Sequence, residues 1–172
     1  QGEAAAQNNL GNAYRTRTRG DEAENLEKAI SHIEAALSVF TRETFAHDWA
    51  LAHNNLAVAY LDKRRVSDAV AELEAAIRVN PNYADAHMNL GVARIDQGQW
   101  NDAVAEFTQV VRARPSSAAA HNALGVAYFR MGQVDRATES YREALRLEPG
   151  FAPARANLAR ADGPPAPGDP GT

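Results

Sequence analysis

Small and apolar residues recur along the chain at steps of four and then three: Ala69, Leu73 and Ala76, then Ala103, Phe107 and Val110, then Ala137, Tyr141 and Ala144. Those steps keep side chains on one face of an α-helix, so each set predicts an amphipathic helix. Upstream of each lies a second apolar block: Asn55-Leu56-Ala57-Val58-Ala59-Tyr60, Asn89-Leu90-Gly91-Val92-Ala93-Arg94 and Ala123-Leu124-Gly125-Val126-Ala127-Tyr128, spaced by 34 residues, with an echo at Asn157-Leu158-Ala159. Gly98 and Gly132 fall between the two blocks of a unit, where a helix must stop and turn. Pro81, Pro115 and Pro149 mark the break before the next unit. The pattern predicts two helices in each unit, which pair if the turn between them is tight. Small residues (Ala57, Gly91 and Gly125 against Ala69, Ala103 and Ala137) sit where the members of a pair cross most closely. One pair cannot bury its apolar face alone, so stacking of pairs must supply the core.

These residues resemble the tetratricopeptide-repeat (TPR) pattern of Leu-Gly, Tyr, then Ala, an aromatic, Ala and Pro over about residues 50–151. The resemblance implies an all-α solenoid of helical hairpins, a right-handed superhelix of about four repeats with a C-terminal capping helix. The expected organisation is a long first repeat with extended loops over 1–49, repeats over 50–83, 84–117 and 118–151, a capping helix over 152–162 and a disordered Pro/Gly tail over 163–172.

The first unit departs from the period. Leu10 to Leu56 spans 46 residues, and the excess of 12 splits evenly. Six residues enter inside the hairpin, between Tyr14 and Ala29, and six at its exit, between Ala36 and Leu56. The wording Asn25-Leu26-Glu27-Lys28-Ala29-Ile30, Phe40-Thr41-Arg42-Glu43 and Asp48-Trp49-Ala50 resembles the long TPR variant of bacterial proteins that carry a caspase-like CHAT protease domain. The protease's Cys has no counterpart here, so that resemblance implies a recognition arm rather than the enzyme.

Composition narrows the function. No run of about 18 apolar residues is present, so no membrane span is expected. A net charge of −4 gives no general attraction to nucleic acid or anionic lipid. There is no cysteine, hence no disulfide framework and no thiolate site. Sixteen of the 18 cations are Arg, a bias that suggests a GC-rich bacterial genome. The chain begins with Gln1, which suggests a processed product or a piece of a longer protein. A cytoplasmic location is expected.

In the TPR family the first helix of each pair lines a concave surface, and the candidate peptide-binding groove is read on that basis. Just before each repeat's Leu stand Asn9, Asn55, Asn89 and Asn157, with Asn54 and Asn122 at the neighbouring position. An Asn amide both donates and accepts, so it can hold an extended peptide's backbone whatever its side chains. The ladder is similar to that of O-GlcNAc transferase; the alternative is that the family often carries Asn in this slot. Asn12, Val58, Val92 and Val126 follow two residues after Leu, and Leu61, Ile95 and Phe129 five after. These form either an apolar strip awaiting a partner or packing between helices. Asp62, Asp85 and Asp96 place acid in the middle of the groove and Arg15 and Arg130 at its ends, a pattern suited to a partner with a basic centre. The Lys and Arg that chaperone-tail binders carry are replaced by Asn8, Asn54, Met88, Asn122 and Asp85, which argues against that ligand.

Three imidazoles, His53, His87 and His121, recur one per repeat. Metal ligation needs donors within about 2 Å of one ion, whereas stacked helices lie about 8–10 Å apart, so a packing role is expected and no metal. No phosphate loop, His-Glu-x-x-His or nucleophile elbow is found, and no catalytic residue or cofactor is assigned. The sequence therefore points to a protein-binding module for a peptide or protein, possible homo-oligomer formation being the alternative, and a regulatory arm of a larger bacterial enzyme such as a CHAT protease a third.

Overall fold

The computed structural model describes residues 2–16 and 20–163. Within them the chain is all-α: nine helices and no strand. They are α1 (Gly2–Arg15), α2 (Glu22–Leu37), α3 (Ala46–Asp62), α4 (Val66–Val79), α5 (Ala84–Asp96), α6 (Trp100–Ala113), α7 (Ala118–Arg130), α8 (Val134–Leu147) and α9 (Ala152–Ala161). No described helix is long and apolar enough to cross a membrane. The chain divides into two compact units, residues 1–93 and 94–172. Most of the expected tail, residues 164–172, lies outside the described residues.

In the first unit α1 packs on α2 and α3 on α4, and α3 also rests on both helices of the first hairpin. Its core joins Ile33, Phe40, Leu56, Tyr60, Leu73 and Leu90, all buried. The twelve extra residues of the first repeat are shared between helix and the connections 16–21 and 38–45, which are longer than 63–65 and 80–83. α2 begins about one turn earlier than α4 does relative to its buried Ala, and α3 about one turn earlier than α5 relative to its Leu. That makes α2 16 and α3 17 residues long, against 13 or 14 in the later hairpins. Asp21 caps α2, its carboxylate accepting from the Glu24 N–H at 3.1 Å. Phe40 is 2% exposed and meets Phe45 edge-on at 6.0 Å, which pins the longer exit loop to the core.

In the second unit α7 packs on α6, α8 and α9, and α9 also covers α8. Tyr128, Ala137 and Tyr141 form one core patch, with Phe129 and Leu158 against it; Ala118, Ala144 and Ala154 form another. Ser117 caps α7 by accepting from the Ala120 N–H at 3.2 Å.

The hairpin turns follow one recipe with one exception. Gly98 and Gly132 both stop a first helix at φ 72°, the left-handed region that a side chain disfavours. The equivalent residue of the earlier hairpin is Arg64, held at φ 60°.

Candidate peptide-binding surface

The positions marked by the sequence fall on α1, α3 and most of α5 in the first unit, and on the end of α5 and on α7 in the second. Their asparagines do something the sequence reading did not anticipate. Asn55 donates from Nδ2 to Oδ1 of Asn8 at 3.1 Å, Asn89 to Asn54 at 2.9 Å, and Asn157 to Asn122 at 2.9 Å. The bonds join α3 to α1, α5 to α3, and the last helix α9 to α7. Asn54 and Asn55 are 7% and 8% exposed. Both are therefore structural amides that tie hairpins together, because a buried amide must be satisfied inside the protein. Asn89 and Asn122 are half-buried and Asn9 is exposed, so these keep hydrogen-bonding capacity at the surface. A sequence signal for the pairing existed. Donor and acceptor stand 35 residues apart in Asn54/Asn89 and Asn122/Asn157, and at the intervening register Met88 and Ala123 replace both members at once.

The apolar strip is only partly covered. Val92 is 43% exposed; Val58, Leu61, Ile95, Val126 and Phe129 are half-buried, Leu61 resting on the core of its unit. Asn12 is half-buried, and Asp62, Asp85, Asp96 and Arg130 are exposed. Arg15 donates to Asp62 at 3.3 Å, so part of the negative charge expected in the middle of the groove is already compensated. The guanidinium of Arg160 lies over the Phe129 ring at 5.6 Å.

The histidines tie the bends between hairpins. Nε2 of His87 donates to the Pro81 carbonyl at 2.9 Å and Nε2 of His121 to the Pro115 carbonyl at 3.0 Å. Arg155 does the same for Pro149 at 2.8 Å. A carbonyl acceptor requires the N–H form at that nitrogen. His53, which has no proline six residues before it, instead packs on Trp49 at 3.8 Å between rings and bonds Glu72 through Nδ1.

A surface feature that sequence reasoning missed is a cleft of about 1010 Å³ along α7 and α8, lined in part by His121, Leu124, Tyr128, Glu139, Arg142 and Glu143. Arg146 grips Glu143 with two bonds of 2.8 Å, and that hydrogen bonding lowers the Glu143 carboxyl below its ordinary range. Arg136 stacks on Tyr128 at 4.0 Å and donates to its hydroxyl at 2.6 Å. The cleft depends on the side-chain conformations of α8, which helical periodicity does not encode.

With this geometry in hand the comparisons are direct. Family models for the tetratricopeptide repeat match residues 4–39, 54–98 and 93–156, most of the chain. The chain is a tetratricopeptide-repeat protein. Solved structures with the same fold include MamA 41-end from Desulfovibrio magneticus RS-1, at 19% identity and TM-score 0.77 over 94% of this TPR chain and 84% of that one. YrrB, described as a TPR protein with an unusual peptide-binding site, matches at 22% identity and TM-score 0.72 over 89% and 73%. The first TPR of Spaghetti (RPAP3), bound to the HSP90 peptide SRMEEVD, matches at 19% identity and TM-score 0.64 over 66% and 90%. No curated protein sequence matches this TPR protein.

Proposed function

We propose that this TPR protein is a non-catalytic protein–protein interaction module that holds an extended peptide or a protein partner against the first helices of its hairpins, without a cofactor or metal, in the cytoplasm. The observation that carries the reading is the apolar surface of the first unit's first helices, where Val92 is 43% exposed and Val58 and Leu61 half-buried, with the exposed amide of Asn9 on the same set of helices. Apolar side chains would supply affinity, and amides with spare hydrogen-bonding capacity would hold a backbone. Two proteins of the same fold are described with a bound peptide or a peptide-binding site, which supports the class of ligand but not its identity.

The test is capture from a bacterial lysate with the intact chain as bait, beside a Val92→Asp, Asn9→Ala variant of unchanged helicity. A protein retained by the first and lost by the second is expected; identical lists from both would overturn the reading. Asn55 and Asn89 are left untouched, since their amides tie hairpins together.

A second reading, self-association, has its own observation. The repeat's Leu is 3% exposed at Leu56 and at Leu90 and 42% exposed at Leu10, on the first described helix. Sedimentation that stays monomeric at high concentration would remove it. The long first hairpin supports a third, a recognition arm of a larger bacterial enzyme of the CHAT-protease kind.

A further inference from the structure

At the junction of α7 with α9 a guanidinium lies over a half-open aromatic ring. Arg160 stands over Phe129 at 5.6 Å. Arg130 is the next residue on α7, and both arginines are exposed. Neither has a carboxylate partner among the described residues, unlike Arg15, Arg65 and Arg146, which are all paired. Tyr141, in the core patch on which Phe129 packs, is 2% exposed against the flat face that Gly125 leaves open, and its hydroxyl, which keeps solvent contact, has no protein hydrogen-bond partner among the described residues. Burial pushes the Tyr141 phenol up, and Arg160 and then Arg130 draw it back, so both cations act on the same oxygen. A hydroxyl that keeps solvent contact and two cations without a carboxylate leave three donors open to an acceptor from outside.

We propose that this corner of the second unit is an acid-selective subsite, taking an Asp or Glu side chain of an extended peptide while the neighbouring apolar residue of that peptide packs on Phe129. The carboxylate would accept from Arg130, Arg160 and the Tyr141 hydroxyl, all donors, and charge-assisted bonds of this kind are the strong ones. The assignment rests on the peptide-binding reading above and gives it a direction: the partner is acidic here, although the chain as a whole carries a net charge of −4. Overall charge therefore repels the same ligand that the subsite attracts, which makes binding local and selective.

The experiment pans a library of random twelve-residue peptides, displayed from their C-terminal ends and so lacking a free terminal carboxylate, on the intact chain and on Arg130→Gln, Arg160→Gln. Expected on the intact chain is at least threefold enrichment of Asp or Glu beside an apolar residue, falling to library frequency on the variant while the apolar preference survives. A selected peptide should weaken about tenfold on Glu→Gln exchange or on the double variant, and about threefold on Tyr141→Phe, which keeps the ring and deletes the donor. Apolar enrichment without acid, or the same acid enrichment on both chains, overturns the subsite and leaves the peptide-binding reading standing. No enrichment on the intact chain overturns both. Because both arginines are exposed, the double variant should keep its thermal midpoint, and Tyr141→Phe gives a second, independent readout.

Discussion

Gly125 gives the sharpest test of how the hairpins are packed. A Cβ built there would lie 2.5 Å from Cε1 and 2.7 Å from Cδ1 of Tyr141, and 3.1 Å from the Ala137 carbonyl oxygen. The ring is 2% exposed and cannot swing away, and the carbonyl belongs to the helix behind it. Forcing a methyl into such a site costs roughly 3 kcal/mol at the upper end of overpacking, against a gain of about 1 kcal/mol because Ala favours helix over Gly. Gly125→Ala should therefore destabilise by about 2 kcal/mol, a fall of roughly 4–8 °C in the thermal midpoint for a domain of this size. The chain contains its own rescue. At the same register the second hairpin carries Ala57, and sixteen residues on, where the fourth has Tyr141, it carries Leu73, both fully buried in one core. In a Tyr141→Leu background Gly125→Ala should be neutral or stabilising, so a double-mutant cycle should report about 2 kcal/mol of favourable coupling. The assay is urea unfolding followed by far-UV circular dichroism on the four proteins. A Gly125→Ala cost that is equal in both backgrounds, or absent from the first, would refute the close-approach argument.

Other perturbations address other parts of the structure. Arg64→Gly should stabilise by about 0.5–1 kcal/mol, since a side chain at φ 60° is strained by more than Gly costs in chain entropy, and a lowered urea midpoint would contradict this. Asn55→Ala should destabilise by about 1–3 kcal/mol by stranding the buried Asn8 carbonyl, and Asn8→Ala with Asn55→Ala should cost less than the sum of the singles; strict additivity would disprove the pairing. The bond and charge of Lys63 hold the Glu27 carboxyl below its ordinary 4.5, so the folded state sheds that proton more readily than the unfolded state does. Stability from the pair is then full above about pH 4.5 and lost as pH falls through the folded value, and Lys63→Met should flatten the acid limb of a melting-temperature profile. An acid limb unchanged by that substitution would show that the pair is not responsible.

Much of the fold was legible in the sequence because it rests on period and on special residues. The 34-residue spacing, the small residues at the crossings, Gly98 and Gly132 at the turns and the prolines at the bends all point to helical hairpins, and the helices bear them out. Arg64 escaped notice because a non-glycine residue at positive φ leaves no compositional mark. The extra residues of the first repeat, expected as extended loops, lie partly in the longer connections 16–21 and 38–45 and partly in helix, α2 starting a turn earlier at Glu22 and α3 at Ala46, a division that spacing alone does not encode. The site was harder to read. A polar residue at a fixed register can point at a ligand or sideways at the next hairpin, and periodicity cannot separate these because each asparagine's partner belongs to a neighbouring repeat. For Asn54 and Asn55 the sideways direction won. The Arg130, Arg160 and Tyr141 cluster was invisible because its members come from three different helices.

The bends at Pro81, Pro115 and Pro149 carry one further consequence. Their ties use an N–H delivered six residues later, by an imidazole twice and a guanidinium once, and adding a proton to Nδ1 of His87 or His121 leaves the donating Nε2–H unchanged. The joints are thus indifferent to the charge of the side chain that closes them. Acid would loosen the exposed Glu27 and Glu143 pairs while the bends stayed latched, and a substitution such as His87→Phe, which keeps a flat ring but removes the hydrogen, would unlatch a bend at any pH.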